Sequence, residues 1–104
     1  MKYPTTPDGR YFVHHQRLWR CTNPELDEAT RAALVKELMA ARRQVKSAKA
    51  SGDDTALRAA RHAVDEAKIK LGERGPTWWD NAPDYNRSQV QKTPYSLWWS
   101  DWLG

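Results

Sequence analysis

The sequence predicts a mainly α fold: an antiparallel helical hairpin with an Ala-rich, coiled-coil-like seam, capped at its open end by a small β-hairpin and a Trp-rich C-terminal helical segment. Three observations carry this. Every alanine but Ala82 lies between residues 25 and 72. Every aromatic residue lies outside that stretch, at Tyr3, Tyr11, Phe12, Trp19, Trp78, Trp79, Tyr85, Tyr95, Trp98, Trp99 and Trp102. Within the stretch, apolar residues recur at alternating spacings of three and four, the period of a helix that packs along one stripe.

In chain order, the N-terminal flank (1–24) reads as a β-hairpin. Pro7-Asp8-Gly9 is a turn signal. Arg10 to His14 and Arg17 to Cys21 then form strands joined at His15-Gln16, which sets Phe12 opposite Trp19 and Val13 opposite Leu18. His-Gln is a poor two-residue turn, because neither residue favours positive φ. A two-stranded ribbon also needs something to pack on.

The middle (25–72) reads as two helices. Asn23-Pro24 or Asp27 opens the first, which runs from about Asp27 to Ala50. Gly52 stands just past its end. Asp53 or Asp54 caps the second, which runs to about Leu71, and Gly72 and Pro76 close the region. So short a loop leaves only an antiparallel arrangement. Folding about it pairs Ala48 with Leu57, Val45 with Ala60, Ala41 with Val64, Leu38 with Ala67, and Leu34 with Leu71. Large faces small at four of these five positions, so the helices approach closely and still fill space. Val35, Met39 and Ile69 lie off the seam near the open end and are expected in the core. Lys49 opposite Asp54 and Glu37 opposite Lys70 are expected as flanking ion pairs.

In the C-terminal flank (73–104), Trp78-Trp79-Asp80-Asn81-Ala82-Pro83-Asp84 is a loop. Asp84 is expected to cap a short helix from Tyr85 to about Gln91. Thr93-Pro94 then opens a last helix, on which Tyr95, Trp98, Trp99 and Trp102 fall on overlapping faces.

Composition narrows the function. The chain has 104 residues, a net charge of +4 and 39% hydrophobic content: one domain over 1–104, with a modest core. Cys21 is the single cysteine, so no intramolecular disulfide forms, in keeping with a reducing cytoplasm. The apolar runs are too short for a membrane span or a signal peptide. Cytoplasmic localisation and no membrane partner are therefore expected.

Three surfaces stand out as candidate sites. The aromatic cluster Tyr95, Trp98, Trp99 and Trp102 holds more indole than a small core easily hides, and Trp anchors are frequent interface hot spots. The leading expectation is a non-catalytic interaction module, docking a protein partner or itself, as a homo-oligomer, through this head. The second surface is a basic strip, Arg42, Arg43, Lys46, Lys49 and Arg61, which suits anions or nucleic acid. Pairing brings Arg42 opposite Arg61, a like-charge contact that calls for an anion: Asp65, one turn from Arg61, or an external phosphate or carboxylate. The third is the loop with Trp78, Trp79, Asp80, Asn81, Asp84, Asn86 and Arg87, where rings beside carboxylate, amide and guanidinium groups suit a small ligand or an enzymatic site. No catalytic, metal-ligating or cofactor-binding residue is assigned. His14 and His15 fall on opposite faces of a strand and do not chelate together, and no nucleophile, phosphate-loop or zinc motif is present.

The strings Pro-Asp-Gly-Arg-Tyr (7–11), Arg-Leu-Trp-Arg (17–20), Glu-Leu-Met-Ala-Ala-Arg-Arg (37–43), Gly-Glu-Arg-Gly-Pro (72–76) and Thr-Pro-Tyr (93–95) give the chain a resemblance to a group of small bacterial proteins. The resemblance spans most of the chain and implies a bacterial, cytoplasmic setting. It carries no activity, cofactor or catalytic residue.

Overall fold

The computed structural model describes residues 3–104. Its elements are β1 (Tyr11–His14), β2 (Arg17–Arg20), α1 (Glu28–Ser51), α2 (Asp54–Leu71) and α3 (Ser96–Leu103), with a single 3-10 turn at Val90–Lys92 before α3. They fall into two compact units, Thr22–Trp78 and the flanks Met1–Cys21 with Trp79–Gly104. We call these the stalk and the head.

The stalk is the helical hairpin. Asp27 caps α1, its carboxylate accepting from Thr30 N at 2.7 Å, and Asp53 caps α2 in the same way through Ala56 N at 3.0 Å. Each helix ends on a glycine in the left-handed region, Gly52 at φ 71° and Gly72 at φ 84°. Leu34, Leu38, Ala41 and Ala48 on α1, and Ala60, Ala67 and Leu71 on α2, are buried, which is the expected seam. Asn23 is not the helix cap. Its side chain accepts from Glu25 N at 2.9 Å, while its own N–H donates to Leu71 O at 2.8 Å and ties the entering chain to the end of α2. Thr22 Oγ1, donating to Glu73 Oε2 at 2.7 Å, adds to that tie.

Two expectations for the stalk fail. Met39 and Ile69 are exposed rather than core, although Val35 packs beside Leu34, Leu38 and Leu71. The seam is already filled along one stripe, and these two side chains lie outside it. The pairs Lys49–Asp54 and Glu37–Lys70 are also not among the ion pairs of the described residues. Exposed long side chains gain too little from pairing to be held in place.

In the head, β1 and β2 pair antiparallel with Phe12 opposite Trp19 and Val13 opposite Leu18. Tyr11, Val13, Leu18 and Arg20 are buried. Both outer edges of the ribbon are covered. Thr6 and Val13 donate to Tyr11 O and Pro4 O on one side; Leu18 donates to Ser88 O, and Arg87 to Leu18 O, on the other. The His15-Gln16 turn forms with both residues at positive φ, 52° and 62°. Val90 N donating to Gln16 O at 3.0 Å holds it there. Covering the edges is how so short a ribbon is stabilised.

The rest of the head departs from expectation. No helix runs from Tyr85 to Gln91; the chain turns at Asn86–Arg87, with Arg87 at φ 71° and Ser88 N donating to Tyr85 O at 3.0 Å, pairs with β2 through Arg87, Ser88 and Gln89, and turns again at Val90–Lys92. Asp84 is not a helix cap, because its carboxylate is engaged by Arg20 and Tyr11. The last helix starts at Ser96, two residues after Pro94. Thr93 is buried, its hydroxyl donating to Val90 O at 2.8 Å, and its carbonyl accepts from Ser96 N at 3.1 Å.

Candidate functional site

Three surfaces were expected, and the structure gives each a different character. The loop from Trp79 to Arg87 is an internal brace. Trp79 is buried, with Tyr11 edge-on at 5.4 Å. The guanidinium carbons of Arg10 and Arg20 stand 5.0 and 5.7 Å from its ring centre, within cation–π range. Arg20 Nη2 meets Asp84 Oδ2 at 2.5 Å. Tyr11 Oη donates to Asp84 Oδ1 at 3.1 Å and accepts from Tyr85 N at 2.7 Å. Asn86 Oδ1 accepts from Arg20 N at 2.9 Å, and the Arg87 carbonyl accepts from Arg17 Nη1 at 2.7 Å. Burial alone would raise the Asp84 carboxyl. Arg20, the Asn86 backbone N–H and Tyr11 outweigh it and hold Asp84 below its ordinary range. Burial pushes the Tyr11 phenol up to about 12.

Asp84, Asn86 and the ring of Trp79 are thus committed to holding the head together, while Asp80, Asn81 and the Arg87 side chain lie at the surface. Trp78 belongs to the stalk, packed where a Cβ on Gly72 would meet its ring at 2.9 Å. Arg10, Tyr11 and Arg20, the partners of Trp79, were not singled out from the sequence. The alternation of Arg17-Leu18-Trp19-Arg20 puts Arg20 on the face of Leu18, which is the signal that was there to read.

The terminal aromatic cluster divides. Tyr95 is half-buried, donates to Asp8 Oδ2 at 2.6 Å, and sits edge-on to Tyr11 and Tyr85 at 5.6 and 6.2 Å. Burial first, and then the Asp8 carboxylate, raise its phenol pKa. Trp99 is buried at 8% exposure, with no hydrogen-bond partner for its Nε1 among the described residues. Trp98 is half-buried with its ring 6.0 Å from that of Trp99. Trp102 stacks on Trp99 at 5.6 Å and 7° yet is 55% exposed, and Leu97 and Leu103 of the same helix are exposed at 79% and 62%. Only Ser96, Ser100 and Asp101 interrupt the apolar surface of α3, so burying one side leaves apolar groups in water.

The basic strip lies on the stalk. Arg42, Lys46 and Lys49 follow at spacings of four and three and share one side of α1, whereas Arg43 is turned about 100° away. None of these, nor Arg61, has an ion-pair partner among the described residues. Arg42 and Arg61 line one cavity of about 360 Å3 with Val45, Val64 and Arg74. Asp65, the expected counter-ion for Arg61, instead meets Arg74 Nη1 at 3.0 Å.

His14 and His15 do not point apart as expected. Their ring centres are 4.0 Å apart, because His15 leaves the strand for the left-handed turn. Among the described residues no group of three or more His, Cys, Asp or Glu side chains is placed to hold a metal ion, and no helix is long and apolar enough to cross a membrane. No family model, curated protein or solved structure matches the chain.

Proposed function

We propose that the protein is a non-catalytic interaction module that docks a protein partner through α3. The observation that supports it is the exposure of Leu97, Trp102 and Leu103 on a helix anchored by buried Trp99. An apolar side chain left in water forgoes about 25 cal/mol for each Å2 it would bury. An exposed Trp on a surface poor in charge is the composition of an interface core rather than of a rim. The same helix carries a single charge, Asp101, so little desolvation of ions opposes docking.

Site-specific photocross-linking in the host cell tests this. Benzoylphenylalanine at position 97 or 103 is expected to give an adduct of one discrete mass, lost on Trp102→Ala. The same label at exposed Glu66 of α2 is expected to give none. An adduct at twice the chain mass identifies a second copy as the partner. Absence of adducts at 97 and 103, or equal adducts at 66, removes the reading.

A further inference from the structure

We propose that the stalk carries a phosphomonoester site, the cavity bounded by Arg42 of α1, Arg61 of α2 and Arg74 of the segment after α2. Arg42 and Arg61 come from facing helices and line the same cavity. Two like charges lining one cavity repel each other, and an anion held between them relieves that repulsion. The one carboxylate within a helical turn of Arg61 is Asp65, and it is occupied by Arg74 at 3.0 Å. Asp54, the other carboxylate on that side of α2, lines the neighbouring cleft with Leu57, Arg58 and Arg61 and pairs with none of them.

The charges select the ligand. Three guanidinium groups and one carboxylate leave the cavity with an excess of two positive charges. A phosphomonoester above its second pKa, near 6, carries about two negative ones. Planar guanidinium forks match tetrahedral oxyanions in bidentate fashion and remain charged throughout. The floor is apolar, Val45 and Val64. It suits the organic end of a small phosphate ester better than a bare ion. A volume of about 360 Å3 lies within the range of small-molecule sites. The site is independent of α3 and of the docking proposed there.

The test is a titration with phenyl phosphate at low ionic strength, read at the Val45 and Val64 methyl resonances of the full chain. Saturable shifts are expected at both. Benzoate, the same ring with one charge, is expected to bind at least about tenfold more weakly. Arg42→Gln and Arg61→Gln are each expected to weaken phenyl phosphate about tenfold, the size of a lost hydrogen bond to a charged group. Both side chains are exposed and off the seam, so unchanged far-UV circular dichroism confirms the fold. Affinity is expected to fall as pH drops through 6. Shifts that persist in the double variant, or equal binding of benzoate, overturn the proposal. So does tighter binding of a single-stranded oligonucleotide that depends on Lys46 and Lys49, which assigns the strip to nucleic acid instead.

Discussion

The Arg20 guanidinium meets the Asp84 carboxylate at 2.5 Å from a side chain only 2% exposed. A charge so far from water is held there by partners whose loss is expensive. Asp84→Asn keeps the shape and the acceptor oxygen but removes the counter-charge. It is expected to lower the stability of the protein by about 2 kcal/mol, below the full range for a buried pair because Asp84 is itself 35% exposed. Urea unfolding followed by near-UV circular dichroism checks this, since Trp79 and Tyr11 report from beside the pair.

The same carboxylate sets the acid limit of the head. Asp8 and Asp84 both lie below their ordinary range, because hydrogen bonds and arginines outweigh burial. A depressed acid stabilises the fold above the unfolded carboxyl pKa, near 4, and that contribution fades as pH falls through the lower folded value. The near-UV signal is therefore expected to weaken below pH 4, with a smaller acid-dependent loss in Asp84→Asn. Tyr11 sets the alkaline limit with the opposite sign. Its pKa rises from 10.0 to about 12, so its contribution is complete below 10 and lost between about 10 and 12.

How much of this was legible depends on the range of the interaction. The α1–α2 hairpin was readable to within a residue or two, because Asp27, Gly52, Asp53 and Gly72 are local punctuation and the seam is a local period. The register of β1 and β2 followed from the turn. The Asp84 reading failed because a capping residue was chosen by its neighbours in sequence, while Arg20, 64 positions away, had the stronger claim. The exposed positions of Met39 and Ile69 were misread because spacing gives a side chain's angle on the helix but not where the packed stripe ends. At the cavity, four of the five lining residues, Arg42, Val45, Arg61 and Val64, are legible in the sequence. Arg74 was missed because it reaches the cavity from the turn after α2, outside any helical period.

The two helix-ending glycines separate conformation from space. Gly52 and Gly72 both have positive φ, at 71° and 84°, so either change to alanine carries the left-handed penalty of about 1 kcal/mol. At Gly52 an added Cβ meets nothing within 4 Å. At Gly72 it meets Asn23 Cβ and Trp78 Cδ1 at 2.9 Å each. Gly72→Ala is therefore expected to cost about 1–3 kcal/mol more than Gly52→Ala, the usual range for forced overpacking. Thermal melts of the two variants followed at a helical wavelength measure the difference. Equal melts place the whole cost in φ and show that Asn23 and Trp78 shift without resistance.

Trp99 and Trp102 stack almost parallel, yet one is buried and the other stands more than half in water. Their substitutions should therefore diverge. Trp99→Ala empties a buried site and is expected to cost about 3–5 kcal/mol. Trp102→Ala removes a ring that shields one face of Trp99, and is expected to cost about 0.5–1.5 kcal/mol, the worth of an aromatic pair. Fluorescence supplies the independent reading. In the free protein acrylamide should reach the emission lost in Trp102→Phe, while the emission lost in Trp99→Phe should be protected. If Trp102→Ala proves as costly as Trp99→Ala and its emission is shielded, the ring belongs to the protein's own core. α3 then keeps only the half-buried Trp98 as an aromatic anchor, and the case for docking rests on it with Leu97 and Leu103.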